Sequence, residues 1–92
     1  MNKILTRVEG LIISINNIIS EYPANSMLKI IRANLEMLKN ELSQSNPDRE
    51  KILHADFGLL RAYEEISEFE NTPFGKELDK LLLELRELRK EL

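Results

Sequence analysis

Cysteine and tryptophan are both missing from this 92-residue chain, and glycine and proline occur only three times each. Without cysteine there is no disulfide framework, no thiol nucleophile and no Cys-based zinc site. Long hydrophobic runs are missing too. A membrane span needs about 20 apolar residues, and the best candidate, Leu11 to Ile19, is interrupted by Ser14, Asn16 and Asn17. Glu9 before that segment and Glu21, Tyr22 and Pro23 after it are the wrong flanks for a signal peptide. No glycine-rich spacer or low-complexity tract divides the chain. The expectation is a soluble, cytoplasmic protein folded as one domain over residues 1–92, without a membrane partner.

Positive charge is thin where negative charge is dense. The net charge of −3 hides three blocks. Residues 1–51 carry seven bases and six acids, and residues 80–92 carry four bases and three acids. Between them, Asp56, Glu64, Glu65, Glu68, Glu70, Glu77 and Asp79 face only Arg61 and Lys76. A nucleic-acid binder needs clustered Lys and Arg to displace counterions, and the sequence shows no such cluster. Nucleic acid is therefore excluded as a partner at this level. An acidic third of the chain favours a basic protein partner instead, by steering and complementarity. Solvated helix faces are the simpler use of the same charges.

What the sequence has in abundance is helical periodicity. Ile4, Val8, Leu11, Ile12, Ile15, Ile18 and Ile19 form a first stripe that ends near Tyr22 and Pro23. Asn25 or Ser26 can cap a second helix with Met27, Ile31, Leu35, Leu38 and Leu42 on its stripe. Residues 43–48 read as a loop and a restart, with Pro47 as the first helical residue. The third helix is expected over about Pro47 to Ser67, with Ile52, Leu59, Tyr63 and Ile66 inward and Leu53 and Leu60 beside them. Thr72 and Pro73 repeat the cap-then-proline signal before Leu78, Leu81, Leu82, Leu85, Leu88 and Leu92. Helices of about 18–21 residues, roughly 27–32 Å each, bury such stripes only against one another. The fold predicted is all-α, an antiparallel up-down-up-down four-helix bundle.

Residues that depart from the stripes are the candidates for function. Ile13 and Leu83 lie nearly opposite their stripes, and Phe57 lies at the margin of its own. Together they supply hydrophobic contact area for a docking patch or a homodimer seam. Asp56 falls on the apolar stripe of the third helix, where a carboxylate costs several kcal/mol unless paired. Either the helix turns or breaks near Gly58 and leaves Asp56 at a wet margin, or Asp56 sits in a cleft facing a partner's cation. Gly58 lies on the polar side, where no helix packing explains it, and mid-helix it costs about 1 kcal/mol relative to alanine. Close approach by another molecule's backbone would account for it.

Catalytic constellations are scarce. One histidine, His54, stands without cysteine or an evident triad partner. Glu50 and His54 share a face at i, i+4, but there is no second histidine or duplicated Glu-x-x-His for a di-iron site. No glycine-rich phosphate loop or dinucleotide fingerprint occurs, so no cofactor or metal is expected and an enzyme is disfavoured.

The stretch Gly58-Leu59-Leu60-Arg61-Ala62-Tyr63-Glu64-Glu65, followed by residues 69–78 (Phe69 to Leu78), resembles the C-terminal half of small helical immunity proteins. The resemblance implies a bacterial protein that neutralises a toxin by binding it, commonly a basic nuclease. The partner-binding residues would be Asp56, Gly58, Arg61, Glu64, Glu65, Glu68 and Glu70. His54 with Gly58 four residues later also resembles the motif of histidine phosphotransfer domains, which implies an imidazole accepting a phosphoryl group. There the family's lysine is replaced by Phe57, and Asp56 would repel the phosphoryl group. A structural homo-oligomer is the third reading.

Overall fold

The computed structural model describes residues 2–91, so Leu92, expected on the fourth stripe, lies outside the described residues. It contains α1 (Asn2–Glu21), α2 (Ser26–Leu42), α3 (Arg49–Glu64), a 3₁₀ turn (Ser67–Phe69) and α4 (Pro73–Glu91), with no strand among the described residues. Each helix packs on its neighbours in sequence, and α4 closes the ring against α1. The result is the antiparallel up-down-up-down four-helix bundle, 36 × 20 × 19 Å. Its α3–α4 seam is the least closely packed of the four.

The connections follow from local chemistry. The Asn25 side chain accepts the Met27 and Leu28 amides at 3.0 and 3.3 Å and starts α2. The third helix is shorter than expected at both ends. Asp48, not a residue before Pro47, is its N-cap, with Oδ1 accepting the Glu50 amide at 2.9 Å. At the other end the helix stops at Glu64, and Ser67–Phe69 form the 3₁₀ turn. Thr72 behaves as anticipated for a cap. Its hydroxyl donates to the Phe69 carbonyl at 2.6 Å and accepts the Gly75 amide at 3.1 Å, with Pro73 opening α4.

The four stripes meet in one core. Val8, Leu11, Ile15, Leu28, Ile31, Leu35, Leu38, Ile52, Leu59, Ile66, Leu78, Leu81 and Leu85 are all but sealed from solvent. At roughly 1.5–3 kcal/mol for each fully buried aliphatic side chain, this core dominates the stability of the fold. Ala55 and Ala62 belong to it as well. Tyr63 is only half-buried, and its hydroxyl donates to the Gly75 carbonyl at 3.2 Å.

Gly75 is the most tightly enclosed of the three glycines. A Cβ there would meet the Phe69 carbonyl oxygen at 2.1 Å and the Glu70 oxygen at 2.8 Å. Those atoms are backbone and cannot swing aside, so the 3₁₀ turn can fold onto α4 only over a glycine. Across the same end of the bundle, Tyr22 meets Phe69 edge-on with ring centroids 5.7 Å apart. On the opposite side of α4, Arg7 from α1 bridges Glu77 and Glu84. Hydrogen bonding to Glu84 is the main reason that the Arg7 guanidinium holds its proton more tightly than usual. The Glu77 carboxyl is lowered chiefly by its bond from Lys80, with Arg7 adding to the effect.

Candidate functional site: the acidic end of the third helix

Where α3 closes, its final carbonyls are taken by the next two amides, Glu65 to Ala62 and Ile66 to Tyr63, each at 3.1 Å. The chain then turns tightly enough to crowd four acids around one corner. Glu64, Glu65, Glu68 and Glu70 are all exposed, and none of them forms an ion pair among the described residues. Their field is felt nearby. Burial is the first cause that raises the Tyr63 phenol above its usual range, and the charges of Asp79 and Glu70 push it further in the same direction.

Two hollows flank this corner. One, of about 380 Å³, runs between α2 and α3 and is lined by Met27, Ile30, Gly58, Arg61, Ala62 and Glu65. Its floor is apolar and its rim is charged. The second, of about 260 Å³, lies between α3 and the turn and is lined by Tyr63, Glu64, Ser67 and Glu70. The structure thus brings Gly58, Arg61 and Glu65 to one groove and Glu64 and Glu70 to the other, with Glu68 on the 3₁₀ turn between the helices. Ile30, 42% exposed, joins the first groove from α2. Its contribution was not legible, because α2 had to be docked on α3 before that face could be identified.

Asp56 and Gly58 behave differently from the sequence expectation. Helix α3 runs unbroken through Gly58, so Asp56 is not released to a wet margin. It is 5% exposed, and Arg89 of α4 places Nε 3.3 Å from its Oδ2. Burial raises the Asp56 carboxyl above its ordinary value, and the Arg89 and Arg86 charges partly counter that rise. The cation that a cleft carboxylate needs comes from within the chain. The Arg89 guanidinium also lies 5.5 Å from the centroid of the Phe57 ring, a cation–π contact that holds an otherwise half-exposed aromatic.

Gly58, for its part, is explained by packing after all. A Cβ there would meet the Asn34 side-chain amide at 2.6–2.8 Å, and that amide donates to the Ile30 carbonyl at 2.9 Å. The sequence reading missed this because it depends on which face of α2 meets α3.

Ile13 and Leu83 stand out on the outer faces of α1 and α4, 66% and 58% exposed. His54 is exposed on α3, and among the described residues no three His, Asp or Glu side chains gather as a metal site requires. One buried acid gave no sequence signal. Glu41, 5% exposed at the end of α2, accepts the Asp48 amide at 3.0 Å and has Lys51 at 3.8 Å. It pins the start of α3 to the end of α2.

No family model matches the chain, nor does any curated protein or solved structure.

Proposed function

We propose that this chain is a small, non-enzymatic protein-binding module that inhibits or shields a basic protein partner. The observation that carries the reading is the corner at the end of α3. Four exposed glutamates, none in an ion pair among the described residues, surround a turn, and an apolar-floored groove lined by Gly58 and Arg61 opens beside Glu65. Exposed carboxylates of one sign attract a basic surface over about a Debye length and accelerate encounter. An apolar floor with a charged rim is the usual anatomy of a recognition surface. In this reading Glu64, Glu65, Glu68 and Glu70 steer the partner, while Met27, Ile30 and Arg61 supply contact. Asp56 acts indirectly by fixing α3 against α4. The resemblance of residues 58–78 to immunity proteins supports the same assignment and implies a bacterial, cytoplasmic setting in which the partner is a toxin domain.

Affinity capture from the native cell, with the partner identified by mass spectrometry, tests it. Recovery of a basic protein that is lost with Glu64→Lys/Glu68→Lys supports the reading. Recovery of a receiver domain, with phosphate moving to His54 and abolished by His54→Ala, contradicts it. If only the chain itself returns, a homo-oligomer built on Ile13, Leu83 or Phe57 is the better account.

A further inference from the structure

The opposite end of the α3–α4 seam has the opposite charge, although the sequence shows no basic cluster. Antiparallel packing sets the first turn of α3 beside the last turns of α4. That juxtaposition opens a groove of about 330 Å³ lined by Arg49, Leu53, Arg86, Arg89 and Lys90. Four of these five residues are cations and none is an acid. The α3 and α4 residues are 33 or more positions apart in sequence, so only the fold reveals the cluster.

The internal charges do not neutralise this groove. Arg89 is committed to Asp56 and to the Phe57 ring. Lys90 pairs with Glu87 at 3.3 Å, but both side chains are about two-thirds exposed, and pairs of that kind contribute little. Arg49 and Arg86 have no carboxylate within ion-pairing distance among the described residues. Asp56 also feels the charge of Arg86, and it is already paired with Arg89.

Arg49 is also placed against the interest of its own helix. It is the first residue of α3, where the helix dipole disfavours a cation. The Asp48 cap and Glu50 offset that locally. A cation in that position, facing three others across the seam, is poorly explained by folding. It is well explained by an anion between the helices.

We infer that this groove is a second recognition site, which binds an acidic peptide segment of a protein partner. Two arginines with free guanidinium forks suit planar carboxylates, which they can engage in bidentate fashion. Leu53 in the wall, with Phe57 and Leu60 exposed along the same helix, provides apolar surface beside the charge, which suits a peptide better than a bare ion. The groove is short, with four cations gathered at one end of the seam, whereas a continuous phosphate backbone needs a longer track of cations. The site is distinct in position and in sign from the glutamate corner. Its failure would leave the proposed function standing.

Fluorescence anisotropy with a labelled hexaglutamate peptide tests the inference on the full chain. Binding is expected at about 20 mM ionic strength and should weaken at least tenfold by about 300 mM, as screening shortens the reach of the charges. Arg49→Glu/Arg86→Glu should weaken binding more than tenfold. Both positions leave Arg89 in place, but the Arg86 charge also favours the buried Asp56 carboxylate, so thermal unfolding accompanies the binding assay. Arg49→Glu alone, which leaves Arg86 and Arg89 in place, should still weaken binding severalfold. Lys29→Glu/Lys76→Glu makes the same change in net charge elsewhere and should bind as the wild type does. Equal losses in both variants would reduce the effect to net charge and overturn the site. No binding at low salt would overturn it too. So would tighter binding of inorganic pyrophosphate or a DNA duplex than of the peptide, because the ligand class would then be wrong.

Discussion

At the corner where α3 closes, Glu64, Glu65, Glu68 and Glu70 stand in solvent with no ion pair among the described residues, whereas Asp56 and Glu41, nearer the other end, are buried and met from within the chain. The difference is one of dielectric. In water an unpaired carboxylate costs nothing, so the exposed four remain available to a partner. Out of water it costs several kcal/mol, so Arg89 and the Asp48 amide have been drawn to the buried two. Buried acids here hold helices together, and exposed acids are free to recognise.

The contrast breaks most severely when a buried group is orphaned or a backbone contact is obstructed. Arg89→Ala should destabilise the bundle by about 3 kcal/mol, because it leaves Asp56 buried and alone. Urea denaturation measures this, and Arg89→Ala/Asp56→Ala should recover part of the loss. Gly75→Ala, at the glutamate corner, should cost about 2–3 kcal/mol through overpacking against the Phe69 carbonyl. It should also detach the 3₁₀ turn, seen as faster amide exchange at Phe69 and Glu70.

A smaller effect separates the buried Asp56 from the ion-paired Glu77 by pH. The Asp56 carboxyl is raised, so the native state binds its proton more tightly than the unfolded chain does. Its contribution to stability is therefore greatest below the ordinary carboxylate range, and it declines as pH rises through the raised value. The wild type should lose stability relative to Asp56→Asn over that interval. Glu77 runs the other way. Its carboxyl is lowered, so its contribution is present above the ordinary value and is lost as pH falls through the lowered one. Denaturation of wild type, Asp56→Asn and Glu77→Gln across the acid range would show opposite slopes.

The smallest effect concerns Gly58. Replacing it with alanine gains up to about 1 kcal/mol of helix propensity but displaces the Asn34 amide. In wild type the change should be near neutral, and in an Asn34→Ala background it should stabilise by close to the full amount. An equal effect in both backgrounds would dissociate the glycine from Asn34.

How much of this the sequence disclosed depends on the range of the interaction. Periodicity located all four helices, because burial of Leu35 or Leu85 is decided by spacing along one helix. Caps at Asn25 and Thr72 were legible for the same reason. The end of α3 was placed three residues too far, since Ile66 keeps the helical stripe while its backbone has already left the helix. Gly58 against Asn34, Asp56 against Arg89 and the arginines around Leu53 were invisible, because each joins residues on different helices. The acidic block at 64–70 was legible as composition. Its convergence on two hollows, with Ile30 arriving from α2, required the fold.

The central claim is that the glutamate corner, and not the bundle's charge as a whole, recognises a basic partner. Stopped-flow association with the captured partner tests it most directly, comparing Glu64→Lys/Glu68→Lys with Arg49→Glu/Arg86→Glu over a range of salt. The account predicts association at least tenfold slower for the first variant, with a flattened salt dependence, and little change or slight acceleration for the second. If both variants slow association equally, or only the second does, the glutamate corner is not the recognition surface.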